Sequence, residues 1–421
     1  MKRSAIPAVA ILSVALLAGV SGCGPERPDY GKDVLKWEQL PALPDPVGFA
    51  GAFAGASEDA LIVAGGANFP AGRPWDGSPK VWHDRIFVLD DPEGPWQLAS
   101  EKLPRPLAYG LSVSANNGVV CCGGGDAKRH YADGFLLRWD GGKILTHALP
   151  PMPRPAAFFC GAILGETLYV AGGLEQPQAP AAMKTFWALD LSANEKQRKW
   201  VELPPWPGPP RMLAVAAAQD GRFFLFSGVE LVPGRGGKPT RRYLQDAYRF
   251  APGFGWHRMA DLPHPVAGAP TPALAWREKG ILVLGGDDGC LALRTSALKD
   301  HHPGFTPQIL GYCILRDAWL KMGRLLKKPG PNPARHPNAG VWPAVTTPAV
   351  PWRGHTVIPS GEARPGVRTP RVVWGRPIWQ EPPTCPCHPV CWVSPLASRR
   401  RQYLPPWLPN WWVWQNPRCC P

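Results

Sequence analysis

Glu362 is the residue whose neighbours most clearly suggest chemistry. It follows the pair Ser360-Gly361 and is the single acid in a basic stretch that contains Arg364 and Arg368. A carboxylate can act as a general base, and a guanidinium can hold that carboxylate or bind an anionic substrate through its planar set of donors. The spacing therefore predicts a catalytic base supported by arginine, or else an ion pair that only fixes a loop.

A second group of residues suits the recognition of a sugar. Asn68 follows the pair Gly65-Gly66, and Trp75 and Trp82 lie in the loop that comes next. Amide and aromatic side chains offer hydrogen bonds and flat apolar surfaces, both of which suit a sugar ring. Three arginines lie near the starts of successive repeats: Arg105, Arg154 and Arg211. Contact with a substrate and hydrogen bonding between structural units are about equally expected for their side chains.

A sequence repeat positions these residues. A short apolar run ends in a pair of small residues at six places: Gly65-Gly66, Gly123-Gly124, Gly172-Gly173, Ser227-Gly228, Gly285-Gly286 and Ser360-Gly361. A second apolar run follows most of these doublets, and then a tryptophan and a Leu-Pro pair, as in Trp96 with Leu103-Pro104. Short apolar runs bounded by Gly and Pro are typical of buried strands, and tryptophan fills space between neighbouring units.

The number and period of these units predict an all-β fold, a six-bladed kelch-type β-propeller. The doublets recur at intervals of roughly 50 to 75 residues, near the kelch period. Residues 36–41 have the pattern of a closing strand without a unit before it, and the last unit, from about 345 to 374, lacks a closing strand. We therefore expect an N-terminal strand to complete the last blade and close the ring.

The first 22 residues predict a lipoprotein export signal. Lys2 and Arg3 precede an apolar stretch that is short for a transmembrane helix. The segment Val20-Ser21-Gly22-Cys23 resembles the bacterial lipobox, in which the cysteine is lipidated and becomes the first mature residue. The expected protein is exported to the bacterial periplasm or cell envelope and is anchored to a membrane through Cys23. An ordinary cleaved signal with a chance cysteine is the alternative.

Composition divides the chain into four segments. Residues 1–22 are the expected signal peptide, 23–35 a linker, 36–375 the propeller, and 376–421 a tail rich in Pro, Trp and Cys. The tail contains no repeat element, which predicts disorder or a shifted reading frame in the source gene. Its cluster of cysteines around His388 departs from the usual spacing of zinc ligands, so no metal site is predicted there.

The formal charge of +14 does not indicate nucleic-acid binding. Residues 318–421 contain 14 Lys or Arg and two acids, which leaves residues 1–317 with only +2. A nucleic-acid footprint needs basic residues that interleave with aromatic residues on one face of the folded body. Nucleic acid is therefore not an expected partner. The sequence carries no signal for an oligomeric state.

Three segments resemble the bacterial N-acetylneuraminate epimerases, also called cyclically permuted mutarotases, which are kelch propellers. They are residues 48–69, the turn Arg105 to Gly110, and the segment Gly361 to Thr369. In the family motif, an arginine that contacts the substrate comes six residues after a glutamate proposed as the general base, and Glu362 and Arg368 fall on those positions. The resemblance implies interconversion of the α and β anomers of sialic acid, an acidic sugar, with no metal or organic cofactor.

The chemistry of that reaction agrees with these residue types. Opening a hemiketal needs a base for the anomeric hydroxyl and a proton donor for the ring oxygen, and an anionic sugar needs a cation for its carboxylate. The expected catalytic residues are Glu362 and Arg368. Substrate contacts are expected from five further side chains: Asn68, Arg105, Arg154, Arg211 and Arg364.

Two other functions stay open. Kelch propellers also serve as non-catalytic modules, so this chain can instead bind a glycan or a protein at the cell surface. A copper oxidase resembling galactose oxidase needs tyrosine and histidine ligands gathered at the channel mouth. The eight Tyr and ten His of this chain show no such clustering at the blade starts, so the copper oxidase ranks last.

Overall fold

The described chain is built from short antiparallel strands. The structure is a computed structural model that describes residues 33–115, 118–330 and 340–378. In chain order the strands are β1 (Leu35–Leu40), β2 (Phe53–Ser57), β3 (Ala60–Ala64), β4 (Ala67–Asn68), β5 (Val81–Trp82), β6 (Arg85–Leu89), β7 (Gln97–Lys102), β8 (Leu111–Ala115), β9 (Gly118–Cys122), β10 (Gly134–Trp139), β11 (Ile144–Leu149), β12 (Cys160–Leu164), β13 (Thr167–Ala171), β14 (Phe186–Asp190), β15 (Trp200–Glu202), β16 (Val215–Gln219), β17 (Arg222–Phe226), β18 (Val229–Pro233), β19 (Pro239–Tyr243), β20 (Ala247–Ala251), β21 (Gly255–Met259), β22 (Leu274–Trp276), β23 (Gly280–Gly286), β24 (Thr306–Cys313), β25 (Ala318–Arg324), β26 (Val350–Trp352), β27 (His355–Arg364) and β28 (Val367–Pro377). The helical segments are short: α1 (Thr295–Leu298) and the 3₁₀ turns Pro74–Asp76, Arg235–Gly237, Ala292–Arg294 and Lys299–His301.

Within these residues the strands form six four-stranded sheets, the blades of a propeller. Blades 1 to 6 have the strand orders β2-β3-β6-β7, β8-β9-β10-β11, β12-β13-β14-β15, β16-β17-β20-β21, β22-β23-β24-β25 and β26-β27-β28-β1. The N-terminal strand β1 pairs antiparallel with β28, with Trp37 opposite Gly375. The predicted six-bladed all-β propeller, closed by an N-terminal strand in the last blade, is confirmed.

Burial explains why the second strand of a blade is a continuous apolar run. Every residue of β3 and of β9 is buried, because neighbouring blades cover both faces. The outer strand β7 instead has only partly buried or exposed residues, and its sequence Gln97–Lys102 is correspondingly polar. A strand between two neighbours in a blade is therefore apolar throughout, whereas the outermost strand is polar.

Each tryptophan of the repeat joins two blades. Its indole N–H donates to the carbonyl of the proline that ends the closing strand of the blade before it. The pairs are Trp96–Pro41, Trp200–Pro150 and Trp256–Pro204, at 2.8, 3.0 and 2.8 Å. The tryptophan and the Leu-Pro pair, which the sequence separates by about one blade, thus form a single contact between blades.

Six residues, one at the start of each blade, form a closed ring of backbone hydrogen bonds around the channel. Each amide donates to the carbonyl of the equivalent residue in the preceding blade, at 2.7 or 2.8 Å. The ring members are Gly51, Tyr109, Phe158, Leu213, Gly268 and Thr346. All six have φ between 52° and 66°, a left-handed backbone conformation that residues other than glycine rarely adopt. The four members that are not glycine keep it because the ring and the packed blades hold them there.

The channel inside this ring is narrow. It contains a cavity of about 60 Å³, lined by the ring residues and their neighbours at the starts of the innermost strands. Such a volume holds a few water molecules but not a sugar ring. A sugar therefore does not fit in this cavity.

The last blade extends slightly beyond the predicted limits of 36 and 375. Strand β1 begins at Leu35 and β28 ends at Pro377, and the Ile378 amide donates to the Val34 carbonyl at 2.9 Å. The predicted signal peptide, most of the linker with its lipidated Cys23, and the tail from 379 onward lie outside the described residues. In the described ranges, no helix combines the length and apolar character that a membrane crossing requires.

Candidate functional site

The residue after each doublet lies beside the hydrogen-bonded ring. It forms a β-bridge to the residue that precedes a ring member, as Glu362 does with Val345, next to Thr346. The six equivalent positions are Ala67, Gly125, Leu174, Val229, Asp287 and Glu362. The acidic members, Asp287 and Glu362, belong to adjacent blades. Repeat geometry thus places Glu362 at the rim of the channel.

Asp287 is the equivalent acid that the sequence interpretation missed. Alignment of the repeats on their doublets reveals it, since it follows the fifth doublet as Glu362 follows the sixth. Its Oδ2 accepts a hydrogen bond from Tyr243 Oη at 2.6 Å. Burial raises the pKa of Asp287 above its ordinary value, and the Tyr243 hydrogen bond opposes this shift only in part.

The Glu362 carboxylate has one oxygen held and one open. Glu362 and Arg368 lie directly opposite each other in the β27–β28 hairpin, which explains their spacing of six residues. Oε1 accepts from Arg368 Nη1 at 2.8 Å and from the Gly366 amide at 2.7 Å. No described residue donates to Oε2, and the Glu362 side chain keeps 20% of its surface exposed. An open carboxylate oxygen at the channel mouth is the arrangement that a general base needs.

Arg368 holds this carboxylate from below. Its side chain is 3% exposed. Besides Glu362, its Nη2 donates to Tyr109 Oη at 3.3 Å and its Nε donates to the Ala67 carbonyl at 3.3 Å. Burial alone would lower the pKa of Arg368, but Glu362 and Tyr109 together hold it above its ordinary value. Its contacts are those of a positioning residue, and its direct contact with a substrate stays a prediction.

Lys80 is a cation at the same mouth that no sequence pattern indicated. Its Nζ donates to Tyr109 Oη at 3.3 Å and lies 5.1 to 5.7 Å from the ring centres of Phe69, Trp82 and Tyr109. No carboxylate pairs with it in the described ranges. Half-buried among aromatic rings, the ammonium is available to an anionic group.

Arg364 belongs to a buried ion-pair cluster around Asp300. It is 1% exposed, and its guanidinium donates to both the backbone and the carboxylate of Asp300, with Nη2 at 3.1 Å from Oδ1. Arg73 Nε lies 3.2 Å from the same oxygen. Burial lowers the pKa of both arginines, and Asp300 opposes this shift. Arg364 thus ties the helical loop that contains Asp300 to the site, and its predicted contact with substrate stays a prediction.

The side chain of Asn68 makes hydrogen bonds within the fold. It is 1% exposed, its Oδ1 lies 2.8 Å from His83 Nε2, and its Nδ2 lies 3.4 Å from Asp45 Oδ1. Burial lowers the pKa of His83, and the charge of Arg85 adds to this effect, which favours the neutral imidazole. The substrate contact predicted for Asn68 stays a prediction, while its observed contacts join the start of blade 1 to its first loop.

Arg105 and Arg154 lie together, apart from the carboxylate site. Arg105 pairs with Asp133 and Arg154 with Glu175, each at 3.2 Å. Both arginines line an open groove of about 980 Å³ formed by loops of blades 2 and 3. The lining of this groove does not include the carboxylate site described above.

Arg211 is fully buried. Its Nη2 pairs with Asp246 Oδ2 at 2.7 Å, and its Nη1 donates to the Ser227 carbonyl at 2.8 Å. Both partners belong to blade 4, whereas the sequence offered hydrogen bonding between blades as the alternative to substrate contact. Of the seven predicted site residues, the structure therefore brings Glu362 and Arg368 into one contact and distributes the other five around the rim and the blades.

The fold and the site together define a class: a six-bladed kelch-type propeller with a carboxylate–arginine pair at one mouth of its channel. The sequence model of the N-acetylneuraminate epimerase family matches residues 7–146. This match confirms the resemblance for two of its three segments, residues 48–69 and Arg105 to Gly110. The matched range includes Tyr109 and Lys80 and ends before Glu362.

Individual relatives agree with the family match. A Yersinia enterocolitica protein named N-acetylneuraminate epimerase is 40% identical over 131 residues, which cover 26% of this chain and 31% of the relative. A Brucella suis protein of the same name is 39% identical over 25% of this chain and 30% of its own length. A Pasteurella multocida protein of that name is 32% identical over 30% of this chain and 38% of its own length. The chain therefore matches only about a third of the length of these curated relatives.

Proposed function

We propose that this protein is a sugar epimerase that interconverts the anomers of an acidic sugar of the sialic acid class, with Glu362 as the general base. The observation that carries the proposal is the Glu362 carboxylate, with Oε1 fixed by Arg368 and Gly366 and Oε2 open at the channel mouth. The names of the relatives support the sugar class.

The arrangement suits ring opening by acid–base catalysis. Glu362 takes the proton of the anomeric hydroxyl, the bond from the anomeric carbon to the ring oxygen breaks, and the open-chain carbonyl form turns before the ring closes on its other face. Positioned acid–base groups typically contribute about 10² to 10⁴ in rate, which suffices for a reaction that water already permits slowly. Lys80 supplies the positive charge that meets the sugar carboxylate.

The proposal includes a place for the reaction. An export signal with a lipidated Cys23 puts the propeller outside the cytoplasmic membrane and holds it there. Anomer exchange in that location acts on sugars before they are taken up. The proposed location rests on the first 23 residues of the sequence alone.

Glu362→Gln tests the role of the base. Glutamine keeps the shape and can still accept from Arg368, but it cannot take a proton, so the fold should persist. We expect anomer exchange of N-acetylneuraminate, measured by saturation-transfer NMR, to fall by about 10²-fold or more. Glu175→Gln is the matched control, because Glu175 also pairs with an arginine, in the groove that does not include the carboxylate site.

Two outcomes would contradict the proposal. Full exchange by Glu362→Gln, with an active wild type, would show that Glu362 only fixes the hairpin. Calorimetric binding of the sugar by a wild type that does not accelerate exchange would instead favour the non-catalytic binding module.

A further inference from the structure

We infer that Tyr109 is the proton donor to the ring oxygen, the acid that works opposite Glu362; this inference rests on the proposed function. Tyr109 lines the channel cavity, and its hydroxyl reaches the mouth between Lys80 and Arg368. Blade 2 supplies this residue, whereas the base comes from blade 6.

The two neighbours of the hydroxyl determine where its proton points. Lys80 and Arg368 have only donor groups, so the Tyr109 oxygen accepts a hydrogen bond from each of them, at 3.3 Å in both cases. No acceptor for the Tyr109 hydroxyl proton occurs among the residues that the structure describes. The proton is therefore free to be donated to a bound ligand, and two positive charges stabilise the phenolate that remains.

One guanidinium holds the acid and the base side by side. Arg368 Nη1 donates to Glu362 Oε1 at 2.8 Å, and Nη2 of the same group donates to Tyr109 Oη. Because the guanidinium is planar and rigid, it fixes the spacing of the two reacting groups. A hemiketal needs its two proton transfers at neighbouring oxygens on one carbon, and this pairing supplies them.

Backbone and packing fix the tyrosine ring. Tyr109 belongs to the hydrogen-bonded ring around the channel, with φ of 66°, and stacks on Phe158 with ring centres 4.5 Å apart. A Cβ atom at Gly51 would lie 2.4 Å from Tyr109 Cδ1, so glycine there makes room for the ring. The hydroxyl is thus presented on a rigid support rather than on a mobile loop.

The step balances in protons and electron pairs. Glu362 takes the anomeric proton as the bond between the anomeric carbon and the ring oxygen breaks, which makes the carbon a carbonyl. The electron pair of that bond stays on the ring oxygen, which takes the Tyr109 proton and becomes a hydroxyl. Ring closure on the other face returns one proton to Tyr109 and releases the other from Glu362.

Tyr109→Phe removes the proton and keeps the ring that stacks on Phe158. We expect the rate constant for exchange of N-acetylneuraminate at saturation to fall about 10²-fold with KM little changed. Tyr131→Phe is the matched control, because the Tyr131 hydroxyl donates to Asp126 at 2.6 Å and Tyr131 lines the groove of Arg105 and Arg154, whose lining does not include Tyr109. Its exchange should equal that of the wild type.

A proton inventory on the wild type gives a second test that does not require the variant to fold. The wild-type rates in mixtures of H₂O and D₂O should fall below a straight line as the deuterium content rises, as two protons transferred in one step require. A linear wild-type inventory, or a Tyr109→Phe rate within twofold of an active wild type, would overturn the role of Tyr109 and leave Glu362 as the base. A wild type without exchange would overturn the proposed function itself.

Discussion

The hydroxyl of Ser360 joins the last blade to the chain that enters the first blade, and Ser360→Ala tests how much this contact stabilises the fold. Ser360 Oγ accepts from the Phe49 amide at 2.8 Å and donates to the Thr369 carbonyl at 2.6 Å, and the residue is fully buried. Ser227 makes the equivalent pair of contacts in blade 4, with the Val266 amide at 2.9 Å and the Leu244 carbonyl at 2.7 Å. Serine replaces the first glycine of the doublet in both blades.

The cost of Ser360→Ala follows from these two bonds. A buried Phe49 amide without an acceptor costs about 1 to 3 kcal/mol, and the lost hydroxyl-to-carbonyl bond adds about 0.5 to 1.5 kcal/mol. Alanine keeps the left-handed backbone strained, with φ of 71° for the native serine, so no relief offsets the loss. We expect the free energy of unfolding to fall by about 2 to 4 kcal/mol.

Equilibrium urea unfolding, followed by tryptophan fluorescence, measures this loss. The m-value should stay that of the wild type, because the same surface unfolds. Ser192→Ala is the control: Ser192 is exposed at a surface turn and its hydroxyl donates to Asp190 at 2.6 Å, so the loss of unfolding free energy should stay within about 0.5 kcal/mol. A loss below about 1 kcal/mol for Ser360→Ala would show that the Phe49 amide finds another partner, and would refute the reasoning.

Three further predictions concern the site, pH and location. Lys80→Gln should raise KM for N-acetylneuraminate at least tenfold, because the anion loses its cation, and should also lower the exchange rate at saturation, because the Tyr109 phenolate loses one of its two neighbouring charges; an unchanged KM would exclude Lys80 as the anchor. Burial lowers the pKa of His130 in the folded protein. As pH falls below about 6.5, His130 therefore binds a proton in the unfolded chain before it does so in the folded protein, and the free energy of unfolding should drop from pH 7 toward pH 5. His130→Gln should show a shallower drop in urea titrations at each pH. Cys23→Ser should move the protein from the membrane fraction to the soluble fraction, and unchanged fractionation would remove the proposed anchor.

The fold could be predicted almost completely from local signals. The doublets, the tryptophans and the Leu-Pro pairs each have a role within one blade or between two sequential blades, so their spacing carries the architecture. The unpaired strand pattern around Trp37 also predicted how the ring closes, because a strand without a unit has to complete another one.

The site could be predicted only where it is local. Glu362 and Arg368 face each other across one hairpin, so their spacing revealed the pair. Lys80 and Tyr109 come from blades 1 and 2, and Tyr109 contacts Arg368 only because the closed ring brings blade 6 beside the first blades. For Arg211 the sequence favoured neither substrate contact nor a structural hydrogen bond. In the structure this arginine pairs with Asp246, a residue 35 positions away that no local pattern connects to it.

The ring of six peptide hydrogen bonds has an electrostatic consequence for the charges above it. Each ring N–H that takes part already donates to a neighbouring ring carbonyl, so none of these N–H groups is left to solvate a charge at the channel mouth. With room for only a few water molecules beneath, the site rests on a floor of low permittivity that screens charge poorly. The attraction between Arg368 and Glu362, and the field of Lys80 at the mouth, are therefore weakened by solvent mainly from the open side, the side that a bound sugar would cover.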